Sequence, residues 1–234
     1  MDRNKIYEKK ARLYPVIIAM IIPFFIILNF SNGVLSIYNK LEDNWNLLIS
    51  IFPASLITGS LIYGVKLLAR STSKILFQFP LFEENETKMP TTELILWKNE
   101  NLSKQNKKLI HEKIKADLGL ILFNEEEELL NEKEARLIIS DSVKRIREKT
   151  RENIILFNYN CNYGFIRNFM GANIWALLIV IVIGIINCFY PIVGWKLFIV
   201  STSLIVISFP ISFWLLKLNG KEYARQLYTS YLEL

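Results

Sequence analysis

Hydrophobic and polar positions along this chain fall into blocks more than into a period. Four windows hold almost all the uncharged length: Tyr14 to Phe30, Trp45 to Ala69, Ala172 to Tyr190, and Trp195 to Leu216. A hydrocarbon core ~30 Å thick takes roughly 17–25 residues of helix at ~1.5 Å per residue, and every window is that long. Only Lys66 and Lys196 intrude, both near ends where a long side chain reaches back to the interface. The blocks predict an all-α membrane protein, with four transmembrane helices in two hairpins separated by a mostly helical cytoplasmic insert. The expected divisions are an N-terminal hairpin (1–70), the insert (71–171), a C-terminal hairpin (172–216) and a cytoplasmic tail (217–234).

Basic Met1 to Arg12 ahead of the first window also fits a secretory signal. Ser31-Asn32-Gly33-Val34 offers no small-x-small cleavage site, however, and a second apolar window follows at once, so an uncleaved anchor is expected.

Within the insert the period becomes helical. Pro90-Thr91-Thr92 is expected to open a short helix through Trp97, with a threonine as its N-cap. Ser103 is expected to cap a second helix with Leu109, Ile110, Ile114 and Leu118 on one face. Asn131 followed by Glu134 resembles a capping box and starts a third, with Ala135, Leu137, Ile138, Ile139, Val143 and Ile146 at helical spacing. Its other surface is basic, and Glu125 to Glu128 either pairs with it or forms a solvated helix start. Ser71 to Lys88 alternates weakly and contains Pro80, which predicts an extended connector.

Charge changes the picture from segments to topology. Arg3, Lys5, Lys9, Lys10 and Arg12 precede the first window, Arg70 and Lys74 follow the second, and Lys217, Lys221 and Arg225 follow the fourth. The loop from Ser31 to Asn44 and the turn at Pro191 to Gly194 carry no such excess. Positive flanks mark cytoplasmic ends, so both termini and the insert are expected in the cytoplasm. Trp45 and Trp195 then fall at the outer interface, and Trp175 and Trp214 near the inner one. Between Ser71 and Met170 there are 16 basic and 16 acidic residues; the other 12 basic and 6 acidic supply the whole net charge of +6. A nucleic-acid-binding protein would place its excess on the soluble face, so no direct DNA binding is expected.

Catalytic chemistry is not legible. His111 opens "HEKIK" like a zinc-protease motif, but it is the only histidine in the chain. Cys161 and Cys188 would stand ~40 Å apart on one helix, beyond disulfide reach. No phosphate loop, dinucleotide fingerprint or nucleophile elbow occurs, and no metal, cofactor or enzymatic activity is expected. The windows hold no central carboxylate, histidine or arginine of the kind proton-coupled transport leaves behind. They do hold hydroxyls, among them Ser55, Thr58, Ser201, Thr202 and Ser208. These either bond back to helix carbonyls and glue helices together, or line a pore once several copies assemble; a tetramer is the expected assembly.

"NYGFIRNFMG", residues 162 to 171, lies at the mouth of the third window. Gly164 and Gly171 permit unusual backbone angles or close approaches, and Arg167 can meet a lipid phosphate or a carboxylate. It reads as a juxtamembrane elbow, or as a hinge coupling insert to membrane.

The order "LARS", "MPTTELILW" and "NYNCNYGFIRNFMG" before a hydrophobic pair resembles a family of bacterial four-transmembrane proteins. The shared pattern falls at Pro90, Thr91, Thr92, Thr150, Arg151, Asn160, Tyr163, Gly164, Phe165, Arg167 and Asn168, and covers most of the chain. Ser71 to Glu84 departs from it, being more hydrophobic and less basic. Such proteins are similar to membrane effectors encoded beside nucleotidyltransferases in anti-phage systems of the Hailong type. The resemblance implies a homo-oligomeric inner-membrane effector that opens or damages the membrane, with a nucleotide ligand or a nucleotidyltransferase partner. It implies a ligand-binding or gating junction at Thr91, Thr92, Arg151, Asn160, Tyr163, Gly164, Phe165, Arg167 and Asn168. A non-conducting membrane sensor or scaffold that recruits a cytoplasmic protein stays open, as does a membrane enzyme or transporter.

Overall fold

The computed structural model describes the backbone of residues 2–38, 54–191 and 193–234, and side chains throughout these except at 30–38, 54–59 and 61. Secondary structure among the described residues is helical. In chain order the elements are α1 (Arg3–Tyr7), a π-helical stretch (Glu8–Leu13), α2 (Tyr14–Tyr38), α3 (Ala54–Ser73), a second π-helical stretch (Lys74–Gln78), α4 (Phe79–Phe82), α5 (Pro90–Glu93), α6 (Lys104–Leu118), α7 (Glu125–Leu130), α8 (Glu132–Lys149), α9 (Ile154–Phe189) and α10 (Trp195–Leu232).

Three helices among the described residues are long and apolar enough to cross a membrane: Arg3–Asn29, Ile154–Phe189 and Trp195–Leu232. The second window, Trp45 to Ala69, begins outside the described residues and ends within α3. Large apolar side chains such as Phe24, Phe25, Val182, Ile199 and Ile207 are more than half exposed along the three helices. That much outward apolar surface suits a multi-pass membrane protein better than one solvated by water.

The chain folds into two compact units. The first comprises Met1–Lys74 and Phe165–Trp214; the second comprises Ile75–Gly164 and Leu215–Leu234.

In the first unit, small residues bring helices together. Val16 and Ala19 of α2, Ala69 of α3 and Ala172 of α9 form one buried cluster. Ile26, Ala176, Val180, Ile183, Phe198 and Ile205 form another. Interfaces in membrane bundles favour such residues because dispersion packing, with no hydrophobic drive, must hold the helices.

Both π-helical stretches end two residues before a proline, at Pro15 and Pro80. Proline donates no N–H, and its ring crowds the carbonyl four residues back. A wider turn relieves that crowding. Ser71 to Lys88 is therefore helical as far as Phe82, where an extended connector was expected. Pro80 lies inside this continuous helical run, two residues past the π-helical stretch whose wider turn accommodates its ring.

The core of the second unit joins Ile95, Leu96, Ile110, Ile114, Ile139, Val143, Ile146, Leu156, Leu227, Tyr228 and Tyr231. Within the segment 217–234, expected as a tail, residues 217–232 are the last turns of α10. Ala224, Leu227, Tyr228 and Tyr231 bury one stripe of it at i, i+3, i+4 and i+7.

Local caps follow the sequence closely. Ser103 Oγ accepts from Asn106 N–H at 3.2 Å, and Gly119 closes α6 at φ +67°, where a Cβ would be strained. Ile110 and Ile114 are buried on the expected face of α6, while Leu109 is 46% exposed. Asn131 caps α8 through Glu134 N–H, but the reciprocal capping box is at Asn124 and Glu127. No threonine caps α5: Met89 stands at its N-cap and Pro90 in its first turn.

The acidic run pairs elsewhere than with the basic face of α8. Glu125 meets Lys104 at 2.8 Å, and buried Glu128 accepts from the backbone N–H of Trp97 (3.0 Å) and Lys98 (3.2 Å). Lys107, 1% exposed, donates Nζ to the carbonyls of Trp97 and Asn99. His111 Nε2 donates to Ile95 O at 3.1 Å, and its ring meets Trp97 edge-on at 4.7 Å.

Burial holds His111 below its ordinary pKa, with Lys107 acting the same way and the Ile95 bond opposing. The neutral ring is thus favoured by folding. Stability is complete above the unfolded value of about 6.5, and falls below it as the unfolded chain takes up a proton the folded one refuses. It levels off once pH passes the lower folded value. Melting temperature should therefore drop between pH 7 and pH 5, and His111→Asn should flatten that dependence. An unchanged slope in the variant would refute the assignment.

Candidate functional site

The Pro-Thr-Thr segment is a packing centre of the second unit. Thr91 and Thr92 are each 1% exposed. Thr92 Oγ1 donates to Glu86 O at 2.9 Å, and Thr91 O accepts from Tyr228 Oη at 2.6 Å. Thr91 Oγ1 is buried without a hydrogen-bond partner. Tyr163 reaches the same place from α9, its hydroxyl 4.0 Å from Met89 Sδ. Gly220 of α10 packs where a Cβ would stand 3.1 Å from Pro90 and 3.6 Å from the Tyr163 ring. The glycine thus lets α10 approach α5 and α9.

Arg147 of α8 supplies the charge next to this centre. It pairs with Glu86 at 2.7 Å and lies 5.9 Å from the Tyr223 ring centroid. Burial alone would lower its pKa, but Tyr223 and Glu86 outweigh burial and raise it. The guanidinium is a fixed cation that ties α8 to the loop before α5 and to α10.

Of the expected junction residues, Thr91, Thr92 and Tyr163 therefore converge in the second unit. Gly164 is buried on α9, Asn160 is half-buried, and Arg151 is exposed on the turn after α8. Phe165, Arg167 and Asn168 belong to the first unit. There Phe165 stacks on Phe169 at 6.2 Å, and Arg167 and Arg12 both act electrostatically on Arg70.

Asn168 has the most specific contact of the set. Its Nδ2 donates to Ala11 O at 2.6 Å. Ala11 is four residues before Pro15, so its carbonyl has no α-helical donor, and the amide fills that place. Asn168→Leu should leave a buried carbonyl without this donor and cost about 1–3 kcal/mol. Thermal unfolding in detergent tests this; a variant as stable as the parent would remove the contact from the account.

The elbow expected at 162–171 is uninterrupted helix within α9. Gly171 works by close approach to α3 and makes no turn, since a Cβ there would lie 1.9 Å from Ala69 O.

Among the pore candidates, Ser208 Oγ donates to Ile205 O at 2.6 Å and accepts from Asn173 Nδ2 at 2.8 Å, joining α9 to α10. Ser201 is buried and Thr202 half-buried. The side chains of Ser55 and Thr58 lie outside the described residues. Cys161 is buried and Cys188 exposed, and neither is in a disulfide.

Sequence reasoning missed Glu86, Arg147, Gly220, Tyr223 and Tyr228. The apolar stripe on 224–231 was the available signal, because it continues the helical period past the last uncharged window. Compared with known protein families, curated proteins and solved structures, the chain matches none.

Proposed function

We propose that this protein is an oligomeric effector of the bacterial inner membrane in anti-phage defence. In this reading it is a gated ion channel or membrane-disrupting pore, with both termini and the second unit in the cytoplasm. Control enters through the second unit, by a nucleotide ligand or a partner protein. The family resemblance and the positive flanks motivate the biological setting.

The observation that carries the mechanism is helix continuity. α9 bears Tyr163, in the Pro-Thr-Thr centre, and Asn168, bonded to Ala11, on one unbroken helix. α10 likewise carries Ser208 and Tyr228 on one helix. A ligand that favours one arrangement around Thr91 acts on the same helices that are long enough to cross a bilayer. Its effect is limited to its difference in affinity between the two arrangements.

Dye and ion flux from liposomes holding the purified protein tests the channel. The expected result is flux that responds to nucleotide or partner. No conductance under any ligand condition removes the channel reading. A non-conducting sensor or scaffold is favoured by Leu129 and Leu130, which are 76% and 88% exposed on α7 and offer a partner protein an apolar contact. A stable soluble partner in pull-downs, with unchanged membrane potential on overexpression, would select it.

A further inference from the structure

A cavity of about 210 Å³ opens in the second unit against α5 and α10. Pro90, Leu94 and Ala224 form its apolar lining, and Lys88, Lys221, Arg225, Asn99 and Asn101 its polar lining. Glu93 also faces it, but that carboxylate is bound to Arg136 at 2.6 Å. Lys88 is matched by Glu83 at 2.8 Å. Lys221 and Arg225 stand one turn apart on α10, and among the described residues neither side chain has an ion pair or hydrogen bond. The cavity therefore presents two uncompensated positive charges.

The opposite wall is built to stay in place. Asn99 Oδ1 accepts from Asn101 N–H at 2.8 Å, which leaves the Asn99 amide nitrogen as the donor end of that side chain. Lys107 holds the carbonyls of Trp97 and Asn99 from beneath. Glu128 holds the N–H groups of Trp97 and Lys98.

We infer that this cavity binds the phosphate group of a small phosphorylated molecule. A phosphomonoester carries a charge of about −1.5 to −2 at neutral pH and matches the two cations, whereas a carboxylate leaves one unmatched. The Arg225 fork suits two phosphate oxygens, Lys221 supplies a compact charge, and the Asn99 amide donates to a third oxygen. The volume is below the roughly 300–1,000 Å³ of pockets that enclose drug-sized ligands. It takes a phosphate and a sugar-sized portion, and the remainder of a larger ligand stays outside. Binding draws α5 and α10 together; this consequence rests on the gated-effector reading above, while the binding itself does not.

The test uses the full chain in phosphatidylcholine nanodiscs, titrated calorimetrically with inorganic phosphate and ribose 5-phosphate, with acetate as the monoanion control. Saturable binding of ribose 5-phosphate is expected, with a Kd raised at least tenfold in Lys221→Gln/Arg225→Gln and unchanged in Lys133→Gln. Both altered residues are exposed, and equal melting temperatures would confirm that the double variant folds. Acetate binding as tight as phosphate, no saturable binding, or binding indifferent to the double variant would overturn the proposal. A second arm places phosphatidic acid in the nanodisc. Competition that depends on Lys221 and Arg225 identifies a lipid headgroup as the source of the phosphate; its absence identifies a soluble ligand. Flux measured on the same preparations separates the two readings. Binding without flux removes the channel and keeps the pocket, and flux without phosphate binding does the reverse.

Discussion

Gly171→Ala is expected to destabilise the first unit by about 3 kcal/mol or more, placing it among the severe single substitutions. The added Cβ would lie 1.9 Å from Ala69 O and 2.8 Å from Ser73 Cβ, and the first obstacle is backbone, which cannot rotate aside. α3 and α9 would have to separate, opening the Val16, Ala19, Ala69 and Ala172 cluster. Gly184→Ala is the matched control on the same helix. Its Cβ would meet the Phe198 ring at 3.6 Å, an ordinary contact, so little loss is expected. Thermal unfolding of both variants in detergent decides the matter: similar melting temperatures would mean the two helices do not touch as described.

Glu128→Ala carries the second large effect, a loss of about 3 kcal/mol from the second unit. One 3%-exposed carboxylate accepts from two backbone N–H groups, so truncation orphans both donors. It also removes the negative charge that most favours the buried Lys107 ammonium. Glu128→Gln keeps one acceptor and should fall between parent and alanine variant. Trp97 reports on the site directly, because its Nε1–H donates to Phe123 O at 2.9 Å and its ring lies against His111. Denaturant unfolding followed by tryptophan fluorescence should show the ordering parent, glutamine, alanine; an alanine variant within 0.5 kcal/mol of the parent would contradict it.

Elements that depend on a few neighbours in the chain were readable in advance. Ser103 starts α6 because its hydroxyl acts within one turn. The run from Ala135 to Ile146 gave α8 its buried stripe for the same local reason. The acidic run was harder. Asn124 with Glu127 has the same spacing as Asn131 with Glu134, yet only the first pair closes reciprocally, and Glu128 serves a turn 30 residues earlier. The Pro80 region misled because proline argues against a strand and against a helix alike. What resolves it is a π-helical turn that widens the helix just before the proline.

By itself, the sequence determined where apolar blocks of membrane-crossing length lie, which segment is charged and balanced, and the starts of α5, α6 and α8, because block hydrophobicity and capping are short-range properties. The tertiary structure decided that Tyr163 and Tyr228 meet Thr91 and its neighbours, that Asn168 serves the carbonyl stranded by Pro15, and that Lys221, Arg225 and Asn99 line one cavity. Those pairings join residues far apart in the chain. Complementary shape and the demand that buried polar groups find partners select them, and neither is encoded in any one stretch.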